Sequence, residues 1–274
     1  MARLPMYQQI ADAIRRQIED GTLPRGEQMP NEQKLQEEFG ASRNTIREAI
    51  RQLVDLGLVE TRPGQGTFVK PEIDPWVTIR SMEPDPDLQE LKGSVDPESA
   101  MFLSEVPKRR RKSSRSKPRV GVEQPAPRAI RVELKIDDEE QVVLRSEQRF
   151  IDGIPWAIVN SYYSMELVRK GASNLLMAQD MDPGVVAYLA ETVNVRQTGY
   201  RDWITVRAPS EEEQKFFGIL QTTAVYEIYR TGFDQDKKPM RVTVTISPVD
   251  RNQFIYDVGE NLPAPQYDLD ADSG

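Results

Sequence analysis

The sequence predicts an α+β protein in two parts, with helices near the N-terminus and an antiparallel sheet after about residue 129. Between residues 6 and 56, apolar residues recur every three or four positions, which is the spacing of helices that bury one face. Between residues 142 and 247, polar and apolar residues alternate in runs that turn signals separate, which is typical of strands. With 274 residues, the chain is long enough for about two domains.

Composition excludes several kinds of function. The chain contains no cysteine and no histidine, so disulfides, thiolate or imidazole metal ligands and Ser-His-Asp or Cys-His catalysis are all excluded. Enzymes that use only carboxylates stay possible, but we predict no catalytic residue, no metal and no cofactor. No apolar run approaches the length of a membrane span, and the first residues lack the apolar core of a signal peptide, so we expect a cytoplasmic protein that meets the nucleoid when it binds DNA.

Three helices are predicted in the first part, at about 6–20, 32–39 and 43–56. Gly21 and Gly40 follow the first two, as glycine commonly does at helix ends. Asn31 and Ser42 stand where side chains cap the second and third helices. Two short strands, 58–61 and 67–70, follow on either side of a glycine-rich tip. This order is that of a winged helix-turn-helix.

The third helix has the features of a DNA-reading helix. Its apolar stripe leaves Arg43, Asn44 and Arg47 on the outside, near the N-terminal half that meets base edges and phosphates. Thr45 adds a hydroxyl and a methyl group. Isolated arginines of this kind are more often solvated, but the helix pair, the cap and the wing occur here together, which favours binding of double-stranded DNA. The net charge of −8 does not exclude this, because residues 1–70 carry about equal numbers of basic and acidic groups.

Residues 5–70 resemble the DNA-binding domain of GntR-type bacterial regulators. The resemblance lies in residues 29–35 (Met-Pro-Asn-Glu-Gln-Lys-Leu), 42–49 (Ser-Arg-Asn-Thr-Ile-Arg-Glu-Ala) and 64–69 (Gly-Gln-Gly-Thr-Phe-Val). One position departs, since Gln33 stands where the family has arginine, so the operator sequence is not expected to match that of relatives. The resemblance implies DNA contacts from the following residues: Asn31, Gln33, Ser42, Arg43, Asn44, Thr45, Arg47, Gly64, Gln65 and Gly66.

Residues 71–128 are predicted to be a proline-rich linker. Their residues 108–119 form a basic run of low complexity without an apolar side chain, which we expect to be disordered when free. Two interpretations stay open for this run: a solvated loop, or an additional electrostatic grip on DNA. Residues 259–274 are predicted to be an acidic, disordered tail.

Residues 129–258 are predicted to form the antiparallel sheet domain. Strands are expected at 128–136, 142–151, 154–163, 199–208, 224–233 and 240–247, with helices at 183–193 and 211–217. Asp152 and Gly153 are typical of a hairpin turn. In an extended strand, Arg145, Glu147 and Arg149 would share one face.

This second part resembles the UTRA effector-binding domain of the HutC subfamily, whose fold is related to chorismate lyase. The match lies in Arg149–Pro155 (Arg-Phe-Ile-Asp-Gly-Ile-Pro) and in Ser161-Tyr162-Tyr163, with weaker motifs after residue 207. The resemblance implies a small-molecule pocket whose arginines bind an acidic effector. The implied effector-binding residues are Arg145, Glu147, Arg149, Tyr162, Arg207 and Arg230. For Arg145 and Arg149, a cross-strand salt bridge or a solvated sheet face stays an equal alternative.

The sequence thus predicts a homodimeric bacterial transcriptional regulator, and it favours a repressor over an activator. It would bind a pseudo-palindromic operator and leave it when a small-molecule effector binds the second domain. The identity of the effector stays open among acidic, aromatic and antibiotic-like compounds. Two other classes stay open. One is a ligand-independent plasmid or architectural DNA-binding regulator. The other is an enzyme, which the lack of histidine and cysteine disfavours.

Overall fold

A computed structural model of the chain describes residues 4–71, 73, 75–81, 111–181 and 184–257. The described residues divide into two compact units. Unit 1 contains the residues before 75 together with 206–225 and 248–251, and unit 2 contains the others. Among the described helices, none is both long enough and apolar enough to cross a membrane.

The three N-terminal helices are confirmed almost to the residue. They are α1 (Met6–Glu19), α2 (Glu32–Phe39) and α3 (Arg43–Asp55). Both α2 and α3 begin at the capping side chains that the sequence indicates, and Gly40 ends α2 in the left-handed region, with φ of 59°. The helices enclose a core that includes Ile14, Leu35 and Ile46, each with at most 1% of its surface exposed.

The wing consists of β1 (Val59–Arg62) and β2 (Gly66–Val69), which pair antiparallel. The segment that joins α1 to α2 extends this ribbon, because Met29 N–H donates to Thr67 O at 2.8 Å and Val69 N–H donates to Glu27 O at 2.9 Å. The wing is thereby attached along its length to the helical core. The predicted winged helix-turn-helix is confirmed.

The second part is built on a seven-stranded sheet. Its strands are β4 (Ser113–Arg115), β5 (Arg119–Glu123), β6 (Val142–Ile151), β7 (Ile154–Ser164), β8 (Gln197–Arg207), β9 (Val225–Asp234) and β10 (Pro239–Pro248). Neighbouring strands follow the order β4, β6, β7, β10, β9 and β8, and β5 also pairs with β6. The pairs β6–β7 and β7–β10 are antiparallel, and β10 lies inside the sheet between β7 and β9.

The expected disorder of the basic run is wrong for its described part, residues 111–119; residues 108–110 lie outside the described residues. Strands β4 and β5 both pair antiparallel with β6. A strand edge offers backbone hydrogen bonds to any sequence, and acidic groups of the sheet supply counter-charges. Arg111 Nε donates to Asp152 Oδ2 at 2.8 Å, and the Lys112 N–H donates to Asp152 Oδ1 at 2.8 Å. The predicted linker over 71–128 therefore contains part of the sheet.

The strand predicted at 128–136 is also wrong, because α4 (Arg128–Leu134) stands there. Alternation and helical spacing overlap in this short run. Pro127 precedes the first turn, a position that suits helix starts. Ile130 and Leu134, four residues apart, are buried, whereas Val132 between them is 64% exposed. The hydrophobic burial thus follows the helical period.

The remaining helices and a small sheet complete the described fold. Helices α5 (Met165–Arg169), α6 (Val185–Val193) and α7 (Glu211–Phe217) and two 3-10 turns, Ser173–Leu176 and Val249–Arg251, connect the strands. The predictions for α6 and α7 are confirmed, the first from residue 185 onward. Strand β3 (Trp76–Ser81) pairs parallel with β11 (Asn252–Asp257), a pairing that sequence patterns did not indicate. The predicted tail, 259–274, lies outside the described residues.

Candidate functional site

One capping interaction sets the start of each helix in the helix-turn-helix, α2 and α3. The Lys34 N–H donates to Asn31 Oδ1 at 2.9 Å, and the Thr45 N–H donates to Ser42 Oγ at 3.2 Å. The hydroxyls of Ser42 and Thr45 also lie 2.8 Å apart. Asn31 and Ser42, which the sequence proposes as DNA contacts, therefore also fix the backbone that presents α3.

The outer face of α3 is exposed at the predicted positions. The side chains of Arg43 and Arg47 are 69% and 61% exposed, and Asn44 between them is exposed as well. Both arginines meet Glu32 of α2: Arg43 Nε donates to Oε2 at 2.7 Å, and Arg47 Nε lies 3.3 Å from Oε1. Sequence patterns did not indicate this acidic partner.

Gln33 lies on the exposed side of α2, where its Nε2 donates to Glu37 Oε1 at 3.3 Å. A glutamine here offers an amide in place of the guanidinium that the resemblance leads one to expect. An amide can pair with adenine or accept from cytosine, whereas an arginine pairs best with guanine. Gln33 is exposed, and a DNA contact by it with a different base preference stays a prediction.

The wing tip is exposed and closely braced. Gly64 and Gly66 have φ of 72° and 116°, which L side chains rarely adopt. Gln28 Nε2 donates to Gln65 O at 2.6 Å, and a Cβ on Gly66 would lie 2.5 Å from the same nitrogen. Arg62 stacks over Phe68, 4.2 Å from the ring centroid, and pairs with Glu60. The tip is consequently held by contacts within the protein itself.

One face of the large sheet is polar although it is buried. On β6, Arg145 and Arg149 are only 6% and 5% exposed. Arg145 pairs with Ser161, which pairs with Thr243 of β10, and residues directly opposed in an antiparallel sheet point to the same face. We call this surface the polar sheet face. Its polar members are Arg145, Glu147, Arg149, Ser161, Arg230, Arg241, Thr243 and Thr245, and the buried residues Val159 and Tyr163 lie on the same face.

Strand β10 contributes buried polar residues that the sequence analysis did not single out. Arg241, Thr243, Thr245 and Ser247 alternate along it and are 1%, 0%, 7% and 3% exposed. Arg241 Nε donates to Gln197 Oε1 at 2.9 Å, and Ser161 Oγ lies 3.0 Å from Thr243 Oγ1. The alternation of polar and apolar residues at 240–247 is visible in the sequence. That β10 is an internal strand, so that its polar side is buried, is not.

Arg230 joins this face from β9. A Cβ on Gly232 would lie 3.2 Å from Arg241 Cγ, so Gly232 faces the Arg241 side, and Arg230 two residues earlier points the same way. The guanidinium of Arg230 is held by both oxygens of Asp202, at 2.7 and 2.8 Å, and lies 4.0 Å from the Tyr200 ring centroid.

Arg145 serves as an anchor for the following loop. Its guanidinium donates to three carbonyl oxygens, those of Leu175 (2.9 Å), Met177 (2.7 Å) and Gln179 (2.6 Å). Burial lowers the pKa of this arginine, and nearby negative charges oppose that effect in part. These bonds are structural, whatever else Arg145 contacts.

Arg149 and Glu147 form an ion pair inside the polar sheet face. Arg149 Nε donates to Glu147 Oε1 at 2.7 Å, and the two side chains are 6% and 16% exposed. The predicted clustering of Arg145, Glu147 and Arg149 is thus observed. A buried pair of this kind has charges that a ligand can redirect, because a bound anion can replace the carboxylate as the partner of the arginine.

Tyr162 lies on the opposite face of the sheet. It pairs with Leu144 on one side and Val242 on the other, and both alternate with members of the polar sheet face. Burial raises the pKa of Tyr162 to about 12, with smaller contributions from Glu123 and Tyr229. The structure therefore does not bring Tyr162 together with Arg145 and Arg149.

Arg207 has a local partner in unit 1. Its Nη1 and Nη2 donate to the two oxygens of Glu213, both at 2.7 Å, and Glu213 also accepts from the Ser210 N–H as part of a capping box for α7. The Arg207 hydrogen bond lowers the pKa of Glu213, which burial opposes. This arrangement stabilises the start of α7.

An exposed recognition helix beside a braced wing, together with a sheet domain that buries a polar face, defines a DNA-binding transcriptional regulator with a separate sensing domain. Comparison with protein families agrees. Residues 6–69 match the gntR family of bacterial regulatory proteins, and residues 112–253 match the UTRA domain. The chain belongs to the GntR family of transcriptional regulators that carry a UTRA domain.

The chain is similar to known regulators over different lengths. It is 28% identical over 233 residues to the mannosyl-D-glycerate transport/metabolism system repressor MngR of Escherichia coli strain K12, covering 85% of this chain and 87% of that protein. It is 40% identical over 72 residues to the HTH-type transcriptional repressor NagR of Bacillus subtilis strain 168, covering 26% of this chain and 30% of that protein. These relatives are named as regulators of transcription, not as enzymes.

One solved structure supports the fold. The crystal structure of a GntR-family transcriptional regulator aligns with 93% of this chain and 98% of its own, with a TM-score of 0.58 and 23% sequence identity. At this identity the likeness concerns the fold alone.

Proposed function

We propose that the protein is a homodimeric repressor that binds a pseudo-palindromic operator and is released by a small acidic effector. The observation that carries the DNA-binding half is the exposure of Arg43, Asn44 and Arg47 along the outer side of α3. In this arrangement α3 enters the major groove, and its arginines reach guanine edges and phosphates. A recognition helix of 13 residues reads only a few base pairs, so two copies are needed for a long operator.

The wing contributes a second contact on the same half-site. Gly64 and Gly66 have no side chain, so the backbone of the tip can approach a sugar-phosphate chain closely. Gln65 adds an amide that can enter a minor groove or donate to a phosphate. Asn31 and Ser42 support this interface as caps, and Gln33 gives the operator a base preference of its own.

The effector half rests on the charge of the polar sheet face. Four arginines (145, 149, 230 and 241) lie on this face, and each is at most 6% exposed. Guanidinium groups are well suited to bind carboxylates and phosphates, so this set of arginines favours an anionic ligand. The Escherichia coli relative is named for a mannosyl-D-glycerate system, and a glycerate group carries a carboxylate. Both observations favour an acidic effector, such as a sugar acid.

Release from DNA follows from differential binding. An effector can shift the dimer away from the DNA-binding arrangement only by the difference in its affinity for the two arrangements. Ionic contacts between the effector and Arg149 would replace the ion pair between Glu147 and Arg149. This local change in the sheet domain would then alter the arrangement of the two subunits. We place the regulator at its operators in the nucleoid when the effector is absent.

Selection of bound fragments from a random DNA pool tests the DNA-binding half. We expect an enriched sequence with two-fold symmetry, bound by two chains, and Arg43→Ala should lose specific binding while the protein stays folded. Arg51→Ala is the matched control, since Arg51 is an exposed arginine of the same helix that pairs with Glu48. Wild-type operator affinity of Arg43→Ala, or enrichment without symmetry, would refute the assignment.

A thermal-shift screen with sugar acids, sugar phosphates and neutral sugars tests the effector half. A ligand present at about 100 times its Kd stabilises the folded protein by about 2.7 kcal/mol, so an acidic hit should raise the melting temperature clearly. The same compound should release the operator in a mobility-shift assay. If only neutral compounds bind, or a bound acid leaves the DNA complex intact, the proposed effector class is wrong.

A further inference from the structure

Glu32 contacts both arginines of the recognition helix from the neighbouring helix. One of its oxygens accepts from Arg43 Nε at 2.7 Å, and the other lies 3.3 Å from Arg47 Nε. The two arginines are four residues apart, so they lie one above the other on α3. A single carboxylate therefore spans the row of cationic groups that is to face DNA.

The position of Glu32 is itself fixed. It is the first residue of α2, directly after the Asn31 cap, and its side chain is only 32% exposed. Its backbone carbonyl also accepts from Gln36 Nε2 at 3.2 Å. The backbone of Glu32 is thus fixed at the helix start, and its side chain is shorter and less exposed than those of Arg43 and Arg47. In this trio, Glu32 is the part that can orient the others.

The contacts use the Nε side of Arg43 and Arg47. Among the described residues, the two Nη groups of Arg43 make no hydrogen bond, and Arg47 meets no acidic group besides Glu32. The outer N–H groups therefore remain for the O6 and N7 acceptors of guanine, which an arginine contacts with two N–H donors. We propose that Glu32 is a positioning residue for base readout, which holds the guanidinium groups with their outer edges turned toward the operator.

This role has two opposite effects on binding. Arginines that are oriented beforehand lose less rotamer freedom when they reach a guanine, so specific affinity increases. A carboxylate beside the phosphates repels them, so non-specific affinity decreases. Glu32 thus raises the ratio of specific to non-specific binding by acting on both terms.

The test compares charge removal at Glu32 with the same change at a neighbouring residue. Glu32→Gln keeps the size of the side chain but loses the double acceptor. Glu38→Gln is the matched control, because Glu38 is an exposed carboxylate of the same helix that accepts from Gln17, a residue of α1 outside the proposed DNA-binding face. Affinities of the full-length chain for the selected operator and for a scrambled duplex are measured at one salt concentration by fluorescence anisotropy.

We expect Glu32→Gln to bind the operator about fivefold more weakly and the scrambled duplex about twofold more tightly, a tenfold loss of specificity. Glu38→Gln should strengthen both affinities together and keep the ratio of specific to non-specific binding. If charge alone were responsible, Glu32→Gln would also strengthen both, and the proposal would be overturned. Glu32→Asp adds a geometric arm: it keeps the charge on a shorter side chain, and wild-type specificity in this variant would also refute positioning.

This inference rests on the proposed operator recognition, and the experiment distinguishes the two failures. If the wild-type chain does not discriminate between the operator and the scrambled duplex, the proposed function fails. If the wild-type chain discriminates and Glu32→Gln discriminates equally well, the positioning role alone fails. Circular dichroism melting of each variant shows that α2 stays folded.

Discussion

Replacing Arg145 by methionine tests whether this residue anchors a loop or binds the effector. Arg145 donates to the carbonyl oxygens of Leu175, Met177 and Gln179 at 2.6 to 2.9 Å. Methionine keeps most of the length of the side chain but has no donor. The variant Arg145→Met therefore removes three hydrogen bonds while changing the packing little.

The magnitude follows from opposing contributions. Hydrogen bonds from a charged donor contribute about 1.5–3 kcal/mol each, so three would suggest a loss of roughly 4–9 kcal/mol. Removing a buried guanidinium also relieves the desolvation that lowers the pKa of Arg145. Met177 is 52% exposed, so water can reach at least part of the loop once it loosens. We expect a net loss of about 2–4 kcal/mol in the free energy of unfolding.

Urea unfolding and amide hydrogen exchange provide the two measurements. The amides of Leu175 and Met177 donate to Ala172 O and Asn174 O, so they report on the anchored turn, and their exchange should accelerate in Arg145→Met. Arg149→Met is the control, because it removes a second buried arginine of the same strand, whose Nε donates to Glu147. Unchanged stability and exchange, together with loss of the effector response, would refute the anchor and restore Arg145 as a ligand residue.

Three further changes have outcomes that the structure defines. Gly66→Ala should weaken operator binding and lower stability by about 1–3 kcal/mol, because φ of 116° strains any L side chain and the new Cβ meets Gln28; wild-type binding and melting would contradict this. Ile46→Ala, at 0% exposure, should destabilise unit 1 by about 2–5 kcal/mol in urea, and a loss below 1 kcal/mol would contradict its core position. The pKa of Glu213 is lower in the folded protein, so its ionised form stabilises the fold above the unfolded pKa, and this stabilisation is lost as pH falls through the folded pKa. Glu213→Gln should therefore reduce the dependence of the free energy of unfolding on pH in this acidic range. An unchanged pH dependence would refute this.

The N-terminal half was predictable because its signals are local. Asn31 and Ser42 cap through bonds that span three residues, and Gly40 marks a helix end through its own φ. The apolar stripe of α3 leaves Arg43 and Arg47 outside by spacing alone. Local signals of this kind need no knowledge of distant neighbours, which is why the predicted and observed bounds nearly coincide.

The second half was less predictable because its neighbours are distant in sequence. Strands β4 and β5 are stabilised by the edge of β6, so the polar composition of the basic run did not reveal them. The same holds for Tyr162: it adjoins Ser161 in a motif, yet period two places it on the other side of the sheet. The order of the motifs predicted the UTRA-like domain, whereas strand register shows which side chains lie on the same face of its sheet.

Register also explains why the polar sheet face points to a ligand. A central strand contributes most to stability when both of its faces are apolar, and the even-numbered residues of β10, such as Val242 and Val244, follow that rule. The odd-numbered residues, including Arg241 and Thr243, are equally buried but polar, and each requires hydrogen-bonding partners to offset its desolvation. Folding alone does not require this side of β10 to be polar. The proposed sensing role would account for it, because hydroxyl and guanidinium groups on an internal strand hold fixed positions, and a ligand that meets them gains directed hydrogen bonds without ordering the protein first.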